Sequence, residues 1–111
     1  MATTLAQLLA APETERVHTY TEKDVILYAL GVGLGEDPTD EAELRFVYEK
    51  DLLPLPTLPV VLGAVRLRDM NLGLDLVKVV HGEQSLVVHR LPPVAGTVVS
   101  RSRTLSGCLT R

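Results

Sequence analysis

His81 and Glu83 are the residues whose types and spacing come nearest to an acid and base pair. They belong to the tetrad His-Gly-Glu-Gln, which directly follows an apolar run. In a strand, residues two apart point to the same face, so the imidazole and the carboxylate would lie together and could transfer a proton. A turn or strand start with solvated polar groups is the favoured interpretation, because such pairs also occur in structural networks. The catalytic interpretation stays open.

Two other patterns point only weakly to chemistry. The glycines at 31, 33 and 35 suggest a phosphate-binding loop, but they follow a predicted helix rather than a strand, and the lysine of such loops is absent. The single cysteine, Cys108, cannot form an internal disulfide, and no Cys and His spacing is typical of a zinc site. We therefore expect neither a metal nor a bound cofactor. The single cysteine also fits a protein of a reducing compartment.

The bulk composition limits the class of protein. The 111 residues are 46% hydrophobic, enough for one small domain. The net charge of −3, the absence of a dense Lys/Arg block, and the lack of Trp argue against a nucleic-acid partner. No apolar run approaches the roughly 20 residues of a membrane span, and Met1 to Ala11 lacks the charge of a signal peptide. We expect a soluble intracellular protein.

The first half of the chain predicts helices. Thr21 to Leu30 begins with Thr21 as an N-cap and Asp24 three residues later, and it places Val25, Leu27, Tyr28 and Leu30 for a helix face. Glycines that permit positive φ end this helix. Tyr28 lies on the presumed inner face, where core packing is the favoured role and its hydroxyl would need a partner.

The middle of the chain is dominated by turn formers and prolines. Residues 36–43 predict a solvated loop with a helical turn from Thr39, and residues 44–48 predict a short strand or an extended link. Prolines at 54, 56 and 59 exclude a helix interior or a central strand. Residues 60–67 predict a buried helix that is entered through Pro59.

β-branched runs predict strands in the last third, at 77–80, 86–88 and 98–99, with a turn at 92–96. Helices followed by antiparallel strands predict an α+β domain with a helix packed on the sheet. Two or three strands cannot cover a buried helix, so we expect the fold to be incomplete at its C-terminus.

Four strings carry a family resemblance, in the same order as in the family. They are TYTEKDVILYALGVG at 19–33, LRFVYEKDL at 44–52, LPTLPVVLG at 55–63 and VVHGEQSLVVHRLPPVAGTV at 79–98. They resemble the N-terminal half of (R)-specific enoyl-CoA hydratase 2 proteins, the MaoC-like dehydratase group. The resemblance covers residues 16–103, which we expect to form a non-catalytic, truncated unit, preceded by an extension at 1–15 and followed by a divergent tail at 104–111.

The resemblance implies a hot-dog fold, in which a central helix is wrapped by a curved antiparallel sheet. Two such units are fused in hydratase 2 proteins, and only the second carries the Asp and His that add water to a trans-2-enoyl-CoA to give an (R)-3-hydroxyacyl-CoA. If residues 28–33 are aligned with that catalytic motif, Gly33 and Pro38 stand at the Asp and His positions, and neither can exchange a proton. A CoA thioester is thus the implied substrate, without a cofactor, and catalysis by this chain alone is in doubt.

The resemblance also implies roles for particular residues. Glu49 would support the active site from the non-catalytic half, although an exposed charge beside Lys50 and Asp51 is an equally good interpretation. The acyl tail would be bound by Tyr28, Val60, Leu62 and Gly63.

Partners and location follow from the same resemblance. The partner would be a catalytic hot-dog half or a second copy, and the location would be cytoplasmic in a bacterium or peroxisomal in a eukaryote. The alternative is a non-catalytic hot-dog module for binding or assembly, which pairs with a separate hot-dog chain through an open sheet edge.

Overall fold

The computed structural model describes residues 4–64, 68 and 72–103. Within these ranges, no helix is both long and apolar enough to cross a membrane. The elements in chain order are α1 (Leu5–Ala10), β1 (Thr14–Tyr20), α2 (Glu22–Gly31), α3 (Glu41–Leu44), α4 (Leu58–Leu62), a 3₁₀ turn (Leu76–Lys78) and β2 (Gly96–Ser102).

The sheet consists of β1 and β2, which pair antiparallel from Thr14 opposite Ser102 to Tyr20 opposite Gly96. On its outer face the Thr19 and Thr97 hydroxyls lie 3.2 Å apart. Such cross-strand pairs stabilise a sheet. The predicted strand at 98–99 is confirmed as part of β2, whereas β1 was not predicted.

Helix α2 confirms the predicted helix and its cap. The Asp24 carboxylate accepts a hydrogen bond from the Thr21 backbone N at 2.8 Å, which satisfies an N–H at the helix start. The buried residues of α2 are Val25 and Ala29. The predicted apolar face was therefore partly wrong, because Leu27 is 62% exposed.

The core forms where α2 meets the end of β1. Tyr20, Val25, Leu52 and Leu58 are buried together, and Val98 of β2 packs against them. The Tyr20 hydroxyl donates a hydrogen bond to the Pro93 carbonyl, so this buried ring has its polar end satisfied. The chain is thus a small α+β protein with a two-stranded antiparallel sheet, as predicted for its class.

The strand or extended link predicted at 44–48 is wrong. The helical turn predicted nearby is confirmed as α3, and it is capped by Asp40, whose carboxylate accepts from the Ala42 backbone N at 2.9 Å. Backbone bonding of the helical type continues beyond α3, since the Tyr48 N–H donates to the Leu44 carbonyl at 2.9 Å. The Asp40 cap therefore starts a helical turn. The weak alternation of apolar and polar residues at 44–48 is not enough to make this segment a strand.

The helix predicted at 60–67 is shorter and less buried than expected. Pro59 does lie in the first turn of α4, as predicted. The buried residue of α4 is Leu58, whereas Val61 is 56% exposed. Residues 65–67 lie outside the described part of the chain.

The strands predicted at 77–80 and 86–88 are wrong. Val77 lies in the 3₁₀ turn, and residues 79–95 contain no strand. The predicted turn at 92–96 therefore leads into β2 rather than joining two strands. High β propensity does not form a strand without a neighbour to pair with. Cys108 and the tail predicted at 104–111 lie outside the described residues.

Candidate functional site

An apolar groove runs between α2 and α4 on the inner side of β1. Its cavity volume is about 230 Å³. It is lined by His18 from β1, by Asp24, Leu27 and Tyr28 from α2, and by Leu58, Val61 and Leu62 from α4.

Helical spacing places these side chains together. On α2, positions 24, 27 and 28 follow the i, i+3, i+4 rule for one helix face, and positions 58, 61 and 62 do the same on α4. The two faces meet because Leu58 and Val25 are both buried in the core beneath them. The groove is therefore fixed by the core, while its own surface stays open.

One end of the groove is crossed by a hydrogen bond. The Tyr28 hydroxyl donates to Thr57 Oγ1 at 2.8 Å, which joins α2 to the residue that precedes α4. The Tyr28 ring packs against the core, as predicted, and its hydroxyl has the Thr57 side chain as its partner.

The other end of the groove is more polar. A neighbouring depression of about 270 Å³ is lined by Arg16, His18, Val61, Leu62 and Ala64, and it shares three of these residues with the groove. Arg16 Nη1 donates to the Ala64 carbonyl at 3.2 Å, which ties the end of α4 to β1. Together the two depressions form a path that is apolar near Tyr28 and polar near Arg16.

A separate depression of about 500 Å³ is a poorer site for an apolar ligand. Charged side chains of both signs surround it, since its lining comprises Glu41, Leu44, Arg45, Tyr48, Lys50 and Asp51. Burying an apolar chain there would desolvate these charges at a cost.

The structure brings together two of the four residues predicted to bind the acyl tail. Tyr28 and Leu62 both line the groove. Val60 is half-buried and is not among the lining residues, and its neighbour Val61 takes that place. Gly63 faces β2, since a Cβ built on it would lie 3.6 Å from the Ser100 Cβ.

The three residues predicted to support catalysis lie apart from the groove lining. Glu49 is exposed in the turn region after α3, and His81 and Glu83 are exposed in the irregular segment at 79–95. Because that segment is not a strand, it does not form the shared strand face on which the His81 and Glu83 pairing depended. Among the described residues, no group of three or more His, Cys, Asp or Glu side chains could hold a metal ion.

Several groove residues escaped prediction. His18, interpreted from the sequence as an ordinary surface or edge residue, lines both depressions. Thr57, which adjoins the groove without lining it, was not singled out, although its hydroxyl accepts the hydrogen bond from Tyr28. The spacing of Leu58, Val61 and Leu62 is a signal that could have identified the α4 wall, whereas the approach of Thr57 to Tyr28 depends on tertiary contacts.

Comparison with known proteins gives one family match. The model of the MFE-2 hydratase 2 N-terminal domain family matches residues 18–106. The described part of this match includes α2, α4, the groove and β2.

Similar proteins carry related names. The chain is 34% identical, over 105 aligned residues, to "Enoyl-CoA hydratase 2, peroxisomal" of Arabidopsis thaliana, covering 85% of this chain and 33% of that protein. It is 33% identical over 94 residues to "Probable enoyl-CoA hydratase 2" of Dictyostelium discoideum, covering 78% of this chain and 30% of that protein. It is 38% identical over 89 residues to "Peroxisomal multifunctional enzyme type 2" of Mus musculus, covering 70% of this chain and 11% of that protein. The chain thus spans a third or less of these relatives.

Proposed function

The chain belongs to the MFE-2 hydratase 2 N-terminal domain family, and from this membership we propose that it is the tail-binding part of an acyl-CoA hydratase. Its role is to hold the acyl tail of a trans-2-enoyl-CoA while a catalytic unit adds water to give the (R)-3-hydroxyacyl-CoA. The chain supplies part of a hot-dog fold, in which α2 is the central helix. By analogy with the relatives named as peroxisomal, a peroxisomal location is proposed for a eukaryotic source.

The observation that carries this proposal is the apolar groove between α2 and α4. The groove has a volume of about 230 Å³ and a mainly apolar lining, to which His18 and Asp24 add polar atoms at the edges of an otherwise aliphatic and aromatic surface formed by Leu27, Tyr28, Leu58, Val61 and Leu62. Each methylene that leaves water on binding contributes about 0.8 kcal/mol. The arrangement therefore favours binding of a hydrocarbon tail over acid and base chemistry.

Calorimetric titration with dodecanoyl-CoA, which cannot be hydrated, tests tail binding. We expect binding to the 111-residue chain, much weaker binding of CoA alone, and loss of dodecanoyl-CoA binding in Val61→Asp, which puts a charge into the groove. Val61 is 56% exposed, so this change should leave the fold intact. The matched control is Val77→Asp at a position that is 93% exposed and outside the groove. Equal binding by both variants would contradict the proposal.

An alternative function as an assembly module is favoured by apolar side chains that the described part of the chain leaves exposed. Val77, Val80 and Val87 are 93%, 85% and 75% exposed in the irregular region before β2. Exposed apolar side chains that lie close together mark surfaces where proteins interact. Light scattering that gives the mass of a stable, well-folded monomer would count against this alternative.

A further inference from the structure

We infer that the hydrogen bond between Tyr28 and Thr57 is a stop that limits the length of the acyl chain in the groove. This inference rests on the proposed function, and it adds a residue pair that determines which substrates fit. Thr57 acts as a positioning residue, because its hydroxyl holds the Tyr28 ring in place.

The position of the bond gives it this role. Tyr28 is on the helical face of α2 that lines the groove, and Thr57 directly precedes the helix that forms the opposite wall. Their oxygens are 2.8 Å apart, so the bond spans the gap between the two walls. A hydrocarbon chain that lies between α2 and α4 cannot pass this point while the bond is formed.

The polarity of the groove sets the direction in which a ligand enters. The end opposite Tyr28 is bounded by His18 and Arg16, and Arg16 Nη1 already contacts the Ala64 carbonyl. A polar thioester head fits that end better than the apolar one, because burying a polar group away from partners is costly. The methyl end of the acyl chain therefore points towards the Tyr28 ring.

The bond can be removed without loss of the fold. The bond is exposed, so a hydroxyl left without its partner regains water. Tyr28 packs against the buried cluster through its ring, which Tyr28→Phe keeps, and Thr57 is not part of that cluster. Its removal should change the groove rather than the core.

The test compares dissociation constants for butanoyl-, octanoyl-, dodecanoyl- and hexadecanoyl-CoA. Tyr28→Phe and Thr57→Val each remove one hydroxyl and keep the bulk of the side chain. We expect both variants to gain affinity for the longest chains relative to octanoyl-CoA, by about fourfold for each further methylene that becomes buried. The double variant should gain no more than either single one, since both remove the same bond.

Two controls separate the stop from general effects. Thr57→Ser keeps the hydroxyl and should retain the wild-type profile. Tyr48→Phe removes a phenol hydroxyl that lies outside the groove and should also leave the profile unchanged. Circular dichroism of each variant checks that it is folded, and Thr57→Val serves alone if Tyr28→Phe is not.

The outcomes distinguish this inference from the proposed function. If the wild-type chain binds no acyl-CoA of any length, the proposed function fails. If it discriminates between chain lengths and neither Tyr28→Phe nor Thr57→Val shifts that profile, tail binding stands and the stop is refuted. When both variants are folded, a shift in only one of them also refutes the stop, because loss of a single shared bond must affect both alike.

Discussion

Tyr20 is the residue on which the small core most depends. Its ring is 1% exposed, and its hydroxyl donates to the Pro93 carbonyl, which ties the segment before β2 to the end of β1. We expect Tyr20→Phe to lower the free energy of unfolding by about 1 to 3 kcal/mol, because the ring stays packed while a carbonyl loses its partner. Urea denaturation measures this change. A loss equal to that of Tyr20→Ala would show that the hydroxyl, rather than the packed ring, holds the core.

Tyr20 also makes the free energy of unfolding depend on pH under alkaline conditions. Burial raises the pKa of the Tyr20 phenol above its usual value of 10.0. Because the folded chain holds the phenol proton more tightly, the phenol contributes to the free energy of unfolding. This contribution is fully present below the pKa of the unfolded chain and is lost as the pH rises through the pKa of the folded chain. We expect the free energy of unfolding to fall above about pH 10, and to fall less steeply in Tyr20→Phe. An identical slope in Tyr20→Phe would contradict this origin.

Gly35 is a residue that no other amino acid should replace. Its φ is +77°, and a Cβ at this position would lie 2.8 Å from Val47 Cγ2. We expect Gly35→Ala to cost about 1 to 2 kcal/mol from the backbone alone, with a further loss from the contact. Gly31→Ala is the matched control, because nothing lies within 4 Å of its added Cβ and its φ is not positive. Thermal unfolding should show a lower Tm only for Gly35→Ala, and equal shifts would overturn the argument.

At the scale of elements, local signals predicted the main helix, but of the strands they identified only the one at 98–99. The helix α2 was predictable because Thr21 and Asp24 form its cap within three residues of each other. The pairing of β1 with β2 joins Thr14 to Ser102 across almost the whole chain, and no local pattern specifies such a contact. The groove is predictable only to the same extent. The spacing of apolar residues along each helix indicates which side chains form its wall, but no local pattern indicates that the two helices lie side by side.

The segment at 79–95 shows how a β-prone sequence behaves without a partner strand. Among the described residues, the backbone amides of residues 80–91 donate no hydrogen bond, and Val80 and Val87 are 85% and 75% exposed. We expect these amides to exchange with deuterium rapidly, whereas those of β1 and α2 are protected. Hydrogen exchange followed by mass spectrometry measures this. Strong protection at 80–88 in the isolated chain would mean that the segment is paired there.

At the scale of the whole molecule, the proposed function gives tail binding to this chain and catalysis to a separate unit. His81 and Glu83 are exposed and apart from the groove lining, and the groove walls are mainly apolar. We expect the 111-residue chain alone to hydrate crotonyl-CoA no faster than buffer, with His81→Ala unchanged. Robust turnover that His81→Ala abolishes would return the acid and base role to this residue.

The central claim is that the acyl tail lies between α2 and α4, and photochemical labelling tests it most directly. The probe is an acyl-CoA with a diazirine at the far end of its chain, and mass spectrometry locates the labelled residues. We expect labelling at the Tyr28 end of the groove, chiefly of Leu27 and Tyr28 itself, and its suppression by excess dodecanoyl-CoA. Labelling confined to residues 79–95, or unaffected by the competitor, would contradict it.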